Sequence, residues 1–343
     1  MRICICGGGN LGLVCAGYLG RKQDVDVVIL TRNPSFWNHE LEVVDPSNNI
    51  FRCQPSLVSA EAREIIPNSD LILLCLPGFA IEPTLKEIMP YVSGNTIIGS
   101  IVSSTGFFFM AHQLLPTCIP LFGFQRVPFI ARTIEYGHKA NLLGYKQELC
   151  IAVEGVSNKE RFRKTIEDLF STPTRLLNNY FEASLTNSNP ILHTGRLYSM
   201  WSDWDGTAYE KPILFYKEWT DDASQVIIKM DKEFMQLVNA LGITETAIPS
   251  LLTYYESNDS KSLTKKISSI PAFQHIIAPM RQENKVWVPD FESRYFTEDF
   301  PYGLKIIYEL AKEKGIPCPN IEKIYLWGIS KTAKFSSLKY TNP

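Results

Sequence analysis

The stretch GGGNLG at positions 7–12 constrains this chain more than any other. It follows a short apolar run, RICIC at 2–6, and opens a segment, NLGLVCAGYLG, whose apolar residues recur at helical spacing. The apolar run VDVVIL at 25–30 comes next, so strand, glycine turn, helix and strand all fit within the first 32 residues. Gly7, Gly9 and Gly12 match the pattern GxGxxG. Its first glycine makes a tight turn, its second lets the backbone approach a pyrophosphate, and its third lets the helix pack on the strand. Gly7, Gly9 and Gly12, with Asn10 and Leu11 between them, are therefore candidate cofactor-binding residues, and a dinucleotide is the expected ligand. The competing reading is a tight glycine turn that holds nothing. Gly20 reads as the C-cap of the helix.

The second strand ends in Leu30, Thr31 and Arg32. A turn that prefers NAD usually carries Asp or Glu there, to bond the ribose hydroxyls. Here no carboxylate repels a 2′-phosphate, and the Arg32 guanidinium can pair with one through its fork of donors. Thr31 and Arg32 join the candidate cofactor residues, and NADP(H) is expected, with NAD(H) as the alternative. The plainer reading of Arg32 is a solvated loop arginine.

Further pieces repeat the alternation. SDLILLCLP (69–77) is an apolar strand of the kind covered on both faces, and GFAIEPTLKEIMPYV after it supplies a turn and a helix. The turn after such a strand commonly lines a cofactor cleft, which makes Leu76, Pro77 and Ala80 candidates. NTIIGSIVSS (95–104) is another strand. KANLLGYKQELCIAVEG (139–155) reads as a hairpin around Gly144, NKERFRKTIEDLF (158–170) as an amphipathic helix, and TRLLNN (174–179) as a closing edge strand. From residue 179 the periodicity turns helical. In DDASQVIIKMDKEFMQLVNALGI (221–243), Val226, Ile227, Met230, Phe234, Leu237, Val238 and Leu241 share one face, and Gly242 stops the helix. PYGLKIIYELAKEKG (301–315) predicts a second such helix, with Glu309 placed to pair with Lys312. The expected fold is α/β plus all-α: a Rossmann-type dinucleotide-binding domain over 1–178 and a helical substrate domain over 179–343. The cleft between two such domains is the default ligand site.

Composition removes other classes. A net charge of −2 with no basic surplus argues against nucleic acid. No window approaches the roughly 18 apolar residues that span a bilayer. The opening MRICICGGGN has too short an apolar run for a signal peptide. The eight cysteines include no CxxC pair and several lie in strand-like runs, as expected of reduced, buried thiols in a cytoplasmic protein. Cys4 and Cys6 would share a strand face without a third ligand, so no metal site is expected.

Hydride exchange between a nicotinamide and a carbonyl or imine needs a proton donor near the reacting carbon and cations for substrate carboxylates. The histidines are His39, His112, His138, His193 and His275. His193 differs from the rest: it follows TNSNP at the start of a helical segment, and Asn189 lies one turn before it on the same face. An amide there can bond cofactor or substrate while the imidazole moves the proton, so Asn189 is a candidate substrate-binding residue. The same spacing permits Asn189 as an N-cap with Pro190 at the first helical position. A second cluster, FESRYFTEDFPYGL (291–304), holds Arg294 and Asp299. Asp299 can accept from one imidazole nitrogen and fix its tautomer. Arg294 can clamp a carboxylate. Equally, Glu298 and Asp299 can simply favour a helix N-terminus through its dipole. Trp201, Trp204, Tyr209, Tyr255 and Phe291 are either walls of an amino-acid pocket or core.

With these residues in hand, the chain resembles the octopine/nopaline (opine) dehydrogenase family over nearly its whole length. The resemblance rests on GGGNLG, VPFIARTIEYGHKANLLGYKQEL (127–149), LTNSNPILHTGRLYSMW (185–201), FYKEWT, DKEFMQLVNALGI and SRYFTEDFPYGL. It implies a Rossmann-type domain followed by a helical one. The activity it implies is the NAD(P)H-dependent joining of an amino acid to a 2-oxo acid, giving a secondary-amine dicarboxylate. It also implies that His193, Asp299 and Arg294 are catalytic, with Arg294 on a substrate carboxylate. Arg132 matches a family position without an evident role. Thr194 departs from the pattern, since relatives often carry Pro after the histidine. Two other readings stay open: an NADP-dependent 2-hydroxy-acid or ketopantoate-type reductase, which needs no amine, and a non-catalytic dinucleotide sensor. In either enzymatic reading the partners are small molecules, without nucleic acid or membrane.

Overall fold

The computed structural model describes residues 1–37 and 40–332, so His39 and the last eleven positions of the expected helical domain lie outside the described residues. The chain divides into two compact units, Met1–Ser184 and Leu185–Pro343.

In the first unit the strands are β1 (Arg2–Cys6), β2 (Asp26–Leu30), β3 (Leu41–Val44), β4 (Ile50–Cys53), β5 (Leu57–Ser59), β6 (Leu71–Leu74), β7 (Ile97–Ser100), β8 (Leu121–Phe124), β9 (Phe129–Glu135), β10 (Lys139–Tyr145), β11 (Leu149–Glu154) and β12 (Thr174–Leu176). The helices are α1 (Asn10–Gly20), α2 (Ala62–Ile65), α3 (Gly78–Ile88), α4 (Phe107–Leu114), α5 (Lys159–Phe170) and α6 (Tyr180–Ser184). The main sheet runs β12-β11-β8-β7-β6-β1-β2-β5, parallel from β8 to β5, with β11 antiparallel to β8. Its central strands alternate between two cores. Ile3, Ile5, Val27, Ile29, Leu71 and Leu73 face α1 and α5, while Cys4, Cys6, Val28, Leu30, Ile72 and Leu74 face α2, α3 and α4. With both faces covered, these strands carry no polar alternation.

A smaller sheet, β4-β3-β10-β9, covers the other side of α1. Gly12 through Leu19 are consequently all buried. Gly20 is not a left-handed cap: Arg21 closes the helix in the right-handed region. What Gly20 supplies is room, since a Cβ there would strike Cys53 Sγ of β4. The expected hairpin over 139–155 is also corrected. β10 and β11 are strands, but β10 pairs with β9 and β3 and β11 pairs with β8 and β12. The two neighbours in sequence belong to different sheets. The hairpin lies one strand earlier, β9–β10, around Gly137 at φ +71°. β12 is the edge strand of the main sheet. The unit ends beyond the change of periodicity because α6 packs on this sheet: Ala183 is fully buried, and the Gln125 amide donates to Glu182 O at 3.3 Å.

The second unit comprises α7 (Asn189–Trp201), α8 (Asp221–Ala240), α9 (Leu251–Tyr254), α10 (Ser260–Ser268), the ribbon β13–β14 (Met280–Glu283 and Val286–Pro289), α11 (Arg294–Thr297), α12 (Lys305–Glu313) and α13 (Pro319–Lys331). α8 lies against α7, α10, α12 and α13, and Ile227, Met230, Phe234, Leu237 and Val238 are its buried face. The helix expected over 301–315 is a π turn, Phe300–Leu304, followed by α12. Pro301 has no N–H to donate and Gly303 is a poor helix former, so this first turn widens, and Leu304 N–H reaches Asp299 O at 2.7 Å. Glu309 pairs back to Lys305 at 3.5 Å rather than forward to Lys312, whose ammonium lies over the Tyr308 ring. Among the described residues no helix is long and apolar enough to cross a membrane.

Candidate active site

The chain leaves β1 towards β2 and β5 on one side and returns to β6 on the other, so the carboxyl ends of β1 and β6 form the switch point where such sheets bind ligands. Gly7 sits there at φ +108°, where a Cβ would lie 2.8 Å from Cys75 O. A Cβ on Gly12 would strike the Gly7 carbonyl oxygen. Gly9 is the opposite case: nothing stands within 4 Å of a Cβ there, so its backbone faces open space at the N-terminus of α1. A tight turn, a close helix contact and an open, N–H-bearing helix start are what a pyrophosphate needs. A cavity of about 520 Å³ opens beside this turn. Gly7, Gly9, Thr31, Arg32, Leu76, Pro77 and Ala80 all line it.

Asn10, Leu11 and Gly12 are not among its lining residues. The Asn10 side chain is already engaged, accepting from Thr133 N–H at 2.8 Å, and Leu11 packs on the core. Among the lining residues that the sequence reading did not single out, two carry polar chemistry at the turn, Tyr136 and Glu87. Tyr136 reaches over the turn from the β9–β10 hairpin, its hydroxyl 3.0 Å from Thr31 Oγ1. Glu87 of α3 brings a carboxylate that the strand-end argument did not consider. The signal for Tyr136 was Gly8, which the GxGxxG pattern does not require. A Cβ on Gly8 would stand 2.6 Å from the Tyr136 hydroxyl and 2.8 Å from Trp37 Cζ2.

In the second unit His193 lies in the second turn of α7, nearly buried. Its Nδ1 is 2.8 Å from Asp299 Oδ2, and its Nε2 is 2.8 Å from the Tyr216 hydroxyl. The Tyr295 ring lies 4.7 Å from the imidazole, and Phe215 meets it edge-on. An ionised carboxylate only accepts, so Asp299 places a proton on Nδ1 and leaves Nε2 as the basic nitrogen. Burial pushes the Tyr216 phenol well above its ordinary range, and burial followed by the Asp299 charge raises that of Tyr295. Both phenols stay protonated at neutral pH.

Small residues hold this pair together. A Cβ on Gly303 would stand 2.6 Å from Pro190 Cγ, one on Gly195 would stand 2.7 Å from Ile227 Cγ1, and one on Gly328 would strike the Phe300 ring. The π turn thus lies directly on the start of α7, with α8 and α13 closing in behind. Asp299 precedes that turn and His193 follows Pro190, so the same packing brings both side chains to one point.

The description NAD/NADP octopine/nopaline dehydrogenase, alpha-helical domain, matches residues 176–331. The helical part of the chain is thus similar to the octopine/nopaline dehydrogenase family. Residues 3–104 match the ketopantoate reductase PanE/ApbA family, which shares the nucleotide-binding architecture. Octopine dehydrogenase of Mizuhopecten yessoensis is 25% identical, the alignment covering 97% of this chain and 90% of that protein. Tauropine dehydrogenase of Arabella iricolor is 25% identical over 94% and 89%. An octopine dehydrogenase structure with NADH and L-arginine shares the fold, with a TM-score of 0.86 at 24% identity over 96% of this chain and 89% of that one.

The remaining candidates stand as follows. Arg294 opens α11, exposed, and among the described residues its guanidinium has no hydrogen bond or ion pair. Asn189 is the first residue of α7 rather than its cap. Ser188 holds the cap position and Pro190 comes second, so the Asn189 amide is one turn from His193 and half-buried. Thr194, the departure from the family pattern, leaves α7 unbroken: it is fully buried and its hydroxyl donates back to Pro190 O. Arg132 is exposed on β9, opposite Asn141. Trp201 is core, stacked on Phe296, and Tyr255 is buried. Phe291 packs on Trp201 and Trp204. Trp204 and Tyr209 line a separate cavity of about 320 Å³ after α7.

Proposed function

We propose that this protein is an opine dehydrogenase: it joins the amine of an amino acid to a 2-oxo acid and reduces the imine to a secondary-amine dicarboxylate. The observation that carries the proposal is the His193–Asp299 pair at 2.8 Å within a helical unit matched to that family. In condensation the amine adds to the keto carbon, and the oxygen then leaves as water. His193 donates the proton that this departure requires, through Nε2. Asp299 holds the opposite nitrogen and stabilises the imidazolium before the proton is given up. Arg294, exposed with an unengaged fork, anchors a substrate carboxylate. Asn189, one turn below the imidazole, bonds substrate.

Gly7, Gly9 and the start of α1 hold the cofactor pyrophosphate, and Leu76, Pro77 and Ala80 form the facing wall. NAD(P)H bound there supplies the hydride. Arg32 at the end of β2 favours NADP(H), since its guanidinium is exposed and has no partner among the described residues.

The test is a matrix of amino acids against 2-oxo acids, read by oxidation of NADPH and NADH. Turnover should require both organic substrates. The match of residues 3–104 to ketopantoate reductases supports a second reading, reduction of a 2-oxo acid alone. Turnover without any amine would decide for it. A protein that binds NADPH and oxidises it with no pair would instead be a sensor.

A further inference from the structure

The nitrogen through which His193 would move its proton is already occupied. Tyr216 Oη lies 2.8 Å from Nε2, while Nδ1 belongs to Asp299. In the neutral ring Nε2 has only a lone pair to offer, so the phenol is the donor. A phenol oxygen is a poor acceptor because its lone pair is delocalised into the ring. Protonating Nε2 removes the lone pair that the phenol donates to, so the bond in this sense belongs to the neutral ring.

Tyr216 did not reach this place by loose packing. It stands in a turn, not in a helix, and three features fix that turn. Phe215 N–H donates to Ile276 O at 2.8 Å. The Tyr216 ring stacks on Phe273, with centroids 4.5 Å apart. Most tellingly, Arg196 is buried on α7, one turn beyond His193, and spends its guanidinium on this segment. Its Nη2 donates to Glu218 O at 2.6 Å, its Nε to Phe215 O at 3.3 Å and its Nη1 to Thr220 Oγ1 at 3.3 Å. Burial lowers this arginine to about 10, although the Glu218 charge opposes it. A guanidinium kept dry to bind carbonyls costs stability. Here it ties the Tyr216 turn to the same helix that carries His193, so phenol and imidazole move as one body.

We propose that Tyr216 is a positioning residue for His193, its phenol holding Nε2 in one place and favouring the neutral, Nδ1-protonated ring, with Arg196 as the brace that keeps it there. The proposal rests on the reading of His193 as the proton carrier. The titratable groups facing the imidazole are Asp299 beside the π turn, Tyr295 of α11 and Tyr216 itself, with Tyr255 beyond Tyr216. Of these, Tyr216 alone donates to Nε2 in the described residues.

The experiment uses the full-length protein and the variant Tyr216→Phe, which keeps the ring stacked on Phe273. Three readouts are taken: NADPH binding by fluorescence, the pH profile of kcat/KM for reductive condensation, and the ¹⁵N resonance of His193 Nε2, assigned with His193→Ala. Cofactor affinity should be unchanged. Turnover should fall about tenfold, the equivalent of one lost hydrogen bond. Reduction needs the protonated ring, so without the phenol activity should persist to higher pH, and the Nε2 resonance should move towards that of an unbonded nitrogen. An unchanged profile and resonance overturn the proposal, even where turnover falls, because that is what a packing role gives. Should Tyr216→Phe fail to fold, Arg196→Lys, which keeps the charge and loses the fork, is read by the same resonance. If the wild type turns over no substrate pair, the proposed function fails on its own, and the resonance still decides the role of Tyr216.

Discussion

Gly303 lies so close to Pro190 that a single methyl group would not fit between them: a Cβ would stand 2.6 Å from Pro190 Cγ. This approach sets the distance between Asp299 and His193, because one residue precedes the π turn and the other follows Pro190 in α7. Gly303→Ala should force the turn away from the helix. Overpacking of this kind costs about 1–3 kcal/mol. The thermal midpoint should fall, and turnover should fall with it while cofactor affinity holds. A variant that loses stability but keeps wild-type turnover would uncouple the packing from the pair.

Asp299→Asn tests the pair directly. The substitution keeps the shape but replaces an acceptor-only group with one that can also donate, so the imidazole loses its fixed tautomer and the charge that supports its protonated form. Turnover should drop by roughly 10²–10⁴, as should that of His193→Ala. NADPH binding, measured by fluorescence titration, should survive in both. An active Asp299→Asn enzyme would leave Asp299 as nothing more than the residue before a helix.

Much of this site was legible because each part has a local chemical signature. The glycine turn follows from conformation: Gly7 adopts a positive φ and Gly9 faces open space. His193, Arg294 and Asp299 were drawn together by family motifs, and the structure brings His193 and Asp299 into one hydrogen bond. What escaped was reach across space. Tyr216 lies in FYKEWT, a stretch without helical or strand periodicity, and nothing local says that its phenol meets an imidazole 23 positions earlier. Tyr136 was hidden in the same way, by a hairpin whose partner strand was misassigned. The π turn was hidden by its own residues, because Pro301 and Gly303 look like an ordinary helix start until the packing on Pro190 is seen.

Arg32→Ala tests the cofactor preference. In the cavity beside the glycine turn, Arg32 and Thr31 stand at the end of β2, and Glu87 lines the same cavity. A guanidinium on a 2′-phosphate contributes a charge-assisted bond, so its loss should weaken NADPH by roughly 10-fold or more and NADH far less. The check is the ratio of the two dissociation constants in both proteins. Equal weakening, or none, would remove the argument for NADP(H).

Asp231 gives a prediction about stability that is independent of the active site. It is buried on α8, its Oδ2 accepts from Leu251 N–H at 2.9 Å, and burial raises its carboxyl to about 6 despite that bond. An unfolded aspartate titrates near 4. Between those values the folded protein holds a proton that the unfolded chain has released, so stability falls as pH rises through this window. Above about pH 6 the whole penalty is present, on the order of 3 kcal/mol. Asp231→Asn keeps an oxygen for Leu251 N–H and has no charge to bury. It should therefore be more stable than the wild type at pH 7, and the difference should close as pH falls below about 4. Urea unfolding of both proteins across that range measures it. A variant less stable than the wild type at pH 7 would mean that the ionised carboxylate is held by interactions stronger than its one hydrogen bond.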